Sequence, residues 1–221
     1  MLIGDDDENS DRFGYQLNDP RMSRLLPLMQ GWRRALNRDA KLQTDDPAYY
    51  YNERANLSLL AAGAWIAGAT ALEEFSGTKG WGTKKSNGRI DLYVGFDSFD
   101  VEIEAKRKYM SAACNDASLR KLVSSNIKSA RNDAKKDYGA DAQFGCVFFI
   151  PRFSKRRFQN YEAESSQLIR KEICRYIRLH YADSWTWCFP RNTRMLLSDK
   201  KTSYYPGVIM GVRAARFWRR R

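Results

Sequence analysis

"FDSFDVEIEAKRKY", residues 96–109, alternates charge with hydrocarbon: Glu102, Glu104 and Lys106 occupy every second position, with Val101, Ile103 and Ala105 between them. A period of two belongs to a β-strand and puts the three charged groups on one face. The segment before it, "RIDLYVGF" at 89–96, has the same habit, with Ile90, Leu92 and Val94 set between Asp91 and Tyr93. Turning at Asp97-Ser98, the two segments pair as an antiparallel hairpin. Val94 then faces Val101, Leu92 faces Ile103 and Ile90 faces Ala105, all apolar. On the other face Asp91 opposes Glu104, with Cβ atoms about 4.5–5.5 Å apart. Lys106 follows one pleat later, roughly 7 Å along the strand. A slip of one residue would abolish this juxtaposition. Opposed carboxylates repel unless a proton or cation stands between them. A hard divalent cation with oxygen ligands, Mg²⁺ or Mn²⁺, suits that place. The plainer alternative is a solvated strand face with a cross-strand salt bridge.

Outward from the hairpin the elements alternate. "SRLLPLMQGWRRALNRDA", from residue 23, reads as a short helix packed on the outside. "DDPAYYYNERANLSLLAAGAWIAGATALEEF" reads as the main N-terminal helix running into a strand, opened by Asp45 and Asp46 before Pro47. Leu57, Leu60, Ala64 and Ala71 share its inward stripe, and Glu53, four residues before Leu57, projects from the same stripe. "SGTKGWGTKKSNG" is a Gly-rich basic loop. After the hairpin comes an amphipathic helix with Leu119, Leu122, Val123, Ile127, Ala130 and Ala134 inward, closed by Gly139. "AQFGCVFFIP" reads as a buried strand stopped by Pro151. A helix with Ile169, Ile173, Tyr176 and a packed core His180 follows, and "SWTWCF" and "YYPGVIMGVRA" supply the last strands. The fold class is α/β. Residues 1–22 read as an acidic flexible arm and 23–221 as a single domain, with its core at about 48–150 and C-terminal helix and strands at 160–215.

Charge narrows the partner. The net charge is +12, yet residues 1–20 hold six acids against one base, so the remainder is more basic still. Bases cluster at 106–108, 135–136, 155–157 and 216–221, interleaved with Phe153, Phe158, Phe217 and Trp218, which are suited to stacking on bases. That balance points to a polyanion, most simply nucleic acid. Four scattered cysteines and one histidine exclude a zinc site of the usual kind and read as reduced, buried thiols. With no apolar run of membrane-spanning length and no signal-peptide pattern, a cytoplasmic protein is expected.

Asp91, twelve intervening residues and Glu104-Ala105-Lys106 resemble the D-x(n)-E-x-K signature of the PD-(D/E)xK nuclease superfamily, with Ile90 where the signature's Pro would stand. The resemblance covers roughly residues 48–150, where the order helix, three strands, helix, strand is that of the superfamily core. It implies a restriction endonuclease-like core, a central mixed β-sheet flanked by helices, and a Mg²⁺-dependent (or Mn²⁺-dependent) nuclease hydrolysing phosphodiester bonds of DNA, in restriction, phage defence or repair. Asp91, Glu104 and the Ala105 carbonyl would hold the metal. Lys106 would orient or help deprotonate the attacking water. Glu53 would complete the metal site, with Glu73 and Glu74 as its competitors. Lys84, Lys85, Arg107, Lys108, Lys128, Arg131, Arg156 and Arg157 are the candidate nucleic-acid contacts. Glu102 reads as an ordinary surface group. The partner is nucleic acid, with a homodimer or a recruiting protein also implied. The rivals are a non-catalytic nucleic-acid-binding protein on a nuclease-like fold and an RNase using the same site.

Overall fold

In a computed structural model of the chain the described residues are 2–4, 12–79, 86–135, 139–158, 162–198 and 201–218. The strands are β1 (Leu2–Gly4), β2 (Phe13–Leu17), β3 (Thr70–Lys79), β4 (Ser86–Phe96), β5 (Phe99–Ser111), β6 (Ala142–Ser154), β7 (Ser184–Cys188), β8 (Ser203–Tyr204) and β9 (Val208–Arg216). The helices are α1 (Leu26–Leu42), α2 (Glu53–Ile66), α3 (Asp116–Ala134), α4 (Lys155–Phe158) and α5 (Glu162–Ile177). One mixed sheet runs β1-β2-β7-β9-β6-β5-β4-β3, with β8 paired to the far end of β6. Only β5 and β6 are parallel, as a helical crossover through α3 requires; the other pairings are antiparallel. Helices α1 and α2 cover one face and α3 and α5 the other. Among the described residues no helix is long and apolar enough to cross a membrane.

The hairpin turns at Asp97-Ser98 with Phe96 opposite Phe99, Val94 opposite Val101 and Leu92 opposite Ile103. Those residues, with Ala105, enter the core shared with α1 and α2, whereas Met110 of β5 and Val147 and Phe149 of β6 pack with α3 and α5.

Several boundaries differ from the sequence reading. Phe13–Leu17, read as arm, pairs with β7, and Leu2–Gly4 pairs with it in turn; residues 5–11 lie outside the described set. Helix α2 opens at Asn52, whose side chain accepts the Ala55 N–H at 2.9 Å, and not at Asp45-Asp46. Pro47 instead precedes a 3₁₀ turn, Ala48–Tyr50. Ala71 belongs to β3, Leu122 is exposed, and α3 ends at Ala134, ahead of Gly139. Pro151 does not stop β6. It falls after the pairing with β9 ends at Phe149 and before that with β8 begins at Phe153, so its missing N–H costs no bond on that side. His180 lies beyond the end of α5 and is exposed, not packed. All four thiols are free, with Cys146 and Cys188 buried and Cys114 and Cys174 only partly so.

The largest correction concerns α1. It is not an outer layer: Trp32 and Leu36 are fully buried, and the helix lies against α2 at Gly31 and Gly63. A Cβ on Gly63 would stand 2.3 Å from the Trp32 nitrogen, and one on Gly31 would stand 2.0 Å from the Gly63 carbonyl oxygen. The backbones touch there, and only glycine permits it. A glycine-to-alanine change in an unobstructed helix gains about 0.5–1 kcal/mol. Here overpacking costs about 1–3 kcal/mol instead. Gly63→Ala is therefore expected to lower the urea unfolding midpoint; an unchanged or raised midpoint contradicts the contact.

Candidate functional site

Asp91 sits where β4 loses its regular pairing on both sides. Towards β3, Glu73 pairs with Leu92 and Phe75 with Ile90, but Glu74 and Asp91 are passed over. Glu74 adopts φ 50°, a left-handed conformation that costs a non-glycine residue on the order of 1 kcal/mol. Its carboxylate is held by Arg54 at 2.6 Å and Arg89 at 3.3 Å. Towards β5 the ladder ends at Leu92–Ile103, one step short of Asp91 and Glu104. The Asp91 carboxylate replaces the missing backbone acceptor: its Oδ2 takes the Ala105 N–H at 2.8 Å. The side chain that bears the charge thus also closes the hairpin's open end.

Glu104 and Lys106 follow on one face of β5, by the strand's alternation. Glu104 is only 5% exposed. It pairs across to Gly145 of β6, where a Cβ would stand 2.3 Å from the Arg131 nitrogen of α3. That close approach carries the end of α3 over β5. Asp133 of α3 then meets Lys106, Oδ2 to Nζ 3.0 Å. Burial works against the Lys106 ammonium, but the Asp133 ion pair, and after it the charges of Glu53 and Asp91, outweigh burial. Its pKa lies above the ordinary lysine value. Asp133 escaped the sequence reading because nothing in the spacing from Lys106 marks it; only the Gly145 contact brings it in.

Glu53, the first residue of α2, arrives from the opposite layer. Its carboxyl is pushed up first by burial. The Lys106 charge pulls it down, Asp91 and Glu104 push it up by repulsion, and a bond from the Arg107 backbone N–H pulls it down; the net direction is upward. The buried Cys146 thiol, next to Ala105 in the sheet, is raised by burial and then by the charges of Glu53 and Asp91. The four groups therefore act on one another, and Glu53 is the acid coupled to Lys106, Asp91 and Glu104. Glu73 accepts from Ser58 Oγ at 2.8 Å and Glu74 is engaged by its two arginines.

Among the described residues no three His, Cys, Asp or Glu side chains stand together as a formed metal centre. The donor chemistry still fits a hard cation. Asp91, Glu104 and Glu53 offer carboxylate oxygens and Ala105 a carbonyl, and the penalty that burial and then the Asp91 and Glu104 charges place on ionised Glu53 is one that a divalent cation would relieve.

The remaining candidates divide. Lys108, Lys128 and Arg156 are exposed and able to meet phosphate. Arg131 is half-buried, and its Nε donates to the Ala214 carbonyl at 2.9 Å and ties α3 to β9. Arg107 is also turned to a structural task, donating to the Tyr50 carbonyl with its guanidinium 3.9 Å from the Tyr109 ring centroid. Lys84 and Lys85, with the centre of the Gly-rich loop, lie outside the described residues, as does the Arg157 side chain. Phe153 and Phe158 are buried, whereas Phe217 and Trp218 pack on the core but are only partly buried. Arg216, read at the head of a basic tail, ends β9 and donates to the Ala140 carbonyl at 2.6 Å. Glu102 is no surface group: it is 3% exposed and accepts from Gln143 at 3.2 Å.

No protein-family model matches the chain, and no curated protein or solved structure matches it significantly.

The raised pKa of Glu53 has a definite sign. Both states bind the proton at low pH. Between the unfolded and the folded pKa the unfolded chain ionises more readily, so stability falls as pH rises through that window and stays reduced above it. Glu53→Gln removes this penalty. Without added metal it is expected to raise Tm at pH 7 by on the order of 1–2 °C, a modest gain because the group is partly solvated, and to change little near pH 4. A lower Tm at pH 7 contradicts the repulsion.

Proposed function

We propose that the protein is a divalent-cation-dependent nuclease of the restriction endonuclease-like kind, acting on phosphodiester bonds of DNA. What supports this is that Asp91, Glu104 and Lys106 lie where the β4–β5 ladder opens and that Glu53 of α2 is electrostatically coupled to all three. Each group then has a task. Asp91, Glu104 and Glu53, with the Ala105 carbonyl, would hold Mg²⁺ or Mn²⁺. When bound, the cation supplies a low-pKa water and Lewis-acid stabilisation of the phosphate. Lys106, kept charged by Asp133, orients the nucleophilic water and donates to the phosphate oxygen on which charge builds. A charged lysine serves this electrostatic role better than that of a base. Asp91 has a second duty through the Ala105 N–H, which separates the useful variants: asparagine keeps an acceptor there, alanine does not. The net charge of +12 supports a polyanionic substrate.

The test is cleavage of plasmid, linear single-stranded DNA and RNA in Mg²⁺, Mn²⁺ or EDTA. Asp91→Asn and Lys106→Ala are each expected to lower the rate by at least about 10²-fold with the fold retained. Asp133→Asn, which leaves Lys106 in place but unpaired from its anchor, is expected to cost about tenfold. Cleavage indifferent to metal and to both core substitutions overturns the reading. Retention of DNA without cleavage favours the non-catalytic rival, and selective cleavage of RNA favours the RNase.

A further inference from the structure

We propose that the tyrosines beside the candidate site form a stacking platform for unpaired bases, so that the strand presented to Lys106 is single-stranded at that point. The inference rests on the nucleic-acid reading above and names the substrate class of the same site.

Tyr50 lies at the centre of a ring cluster. Its centroid is 5.1 Å from Tyr205, 6.2 Å from Tyr109 and 6.4 Å from Tyr51, and Tyr109 is 5.2 Å from Tyr205. Tyr205 is buried and anchored, its carbonyl accepting from the Tyr49 hydroxyl at 2.8 Å. The outer members are not buried: Tyr51 is 49% and Tyr109 40% exposed. Their hydroxyls are already engaged, Tyr109 with the Tyr50 carbonyl and Tyr51 with Asp46. What these two side chains offer outward is therefore aromatic surface. Arg107 lies over Tyr109 and holds that ring in place.

Position and charge choose the occupant. Tyr51 is two residues before Glu53, and Tyr109 leaves β5 on the face opposite Lys106, the side from which Glu53 arrives. The Arg107 backbone N–H bonds the Glu53 carboxylate while its guanidinium donates to the Tyr50 carbonyl, so platform and site are joined through one residue. Lys108 and Arg152 are exposed, the former next to Tyr109 in sequence and the latter bonded to Tyr205. Partly exposed aromatic rings flanked by cations suit bases on a phosphate backbone. A base inside a duplex has both faces occupied by its neighbours and cannot accept a ring, whereas an unpaired base can.

The test is equilibrium binding in EDTA, followed by fluorescence anisotropy. The probes are a labelled single-stranded DNA, the same sequence as RNA, a blunt DNA hairpin closed by a non-nucleotide linker and an abasic strand of equal length. Tyr51→Ala and Tyr109→Ala are each expected to weaken single-stranded binding about 5–10-fold, the lower end for a lost base stack. Binding of the hairpin and the abasic strand should stay within about twofold. Tyr51→Trp and Tyr109→Phe, which keep a ring, should bind like the parent. Unchanged single-strand binding, or an equal loss on all probes, overturns the platform. Should Tyr109→Ala unfold, the exposed Tyr51 and the ring-preserving variants decide the matter. Because no cleavage is needed, the two readings fail separately. Ring-dependent binding without metal-dependent cleavage overturns the nuclease alone; Lys106-dependent cleavage with ring-independent binding overturns the platform alone.

Discussion

The hydrogen bond from the Ala105 N–H to the Asp91 carboxylate is the contact around which the site is organised. Two neighbouring strands would ordinarily continue their ladder, and a continued ladder would leave no gap at Asp91. Here the backbone pairing stops at Leu92–Ile103, Glu74 is bent into a left-handed conformation on the other side, and a side chain makes the next bond. The arrangement is locally costly. Arg54 and Arg89 offset part of the cost at Glu74, and a densely packed core beneath Ile103 and Ala105 holds the strands while their edges part.

Two close backbone approaches fix where the remaining groups arrive. Gly145 lets α3 settle against β6, which brings Asp133 to Lys106. Gly31 and Gly63 let α1 settle against α2, whose first residue is Glu53. The position of a carboxylate and the anchoring of a lysine thus trace to glycines in the packing. Charge then ties the set together: Glu53 is raised by burial and by its acidic neighbours, whereas Lys106 is kept ionised by the acids around it.

Period-two alternation made the hairpin and its register as far as Leu92–Ile103 legible in the sequence, because a strand with one buried face leaves little freedom of register; the opening of the ladder before Asp91 and Glu104 was not legible, and the expected Ile90–Ala105 pair does not form. Helix stripes served equally well for α3, apart from Leu122. What was hidden depends on partners distant in sequence. Asn52 could not be preferred to Asp45 and Asp46 as a cap by residue type, since both are good caps. Nothing local shows that α1 is buried; its glycine matters only because another glycine faces it. The carbonyls of Ala214 and Tyr50 that engage Arg131 and Arg107 are likewise distant in sequence. The tyrosine cluster joins residues 50–51, 109 and 205, which no local pattern brings together.

The proposed hard-cation site at Asp91, Glu104 and Glu53 is tested most directly by Mn²⁺ binding, without reference to cleavage. Electron paramagnetic resonance of the full chain titrated with Mn²⁺ should show bound metal that Mg²⁺ displaces. Asp91→Asn, which keeps an acceptor for the Ala105 N–H, should weaken that binding at least about tenfold with the fold intact. Mn²⁺ bound equally well by Asp91→Asn and the parent, or bound by neither, would contradict the account.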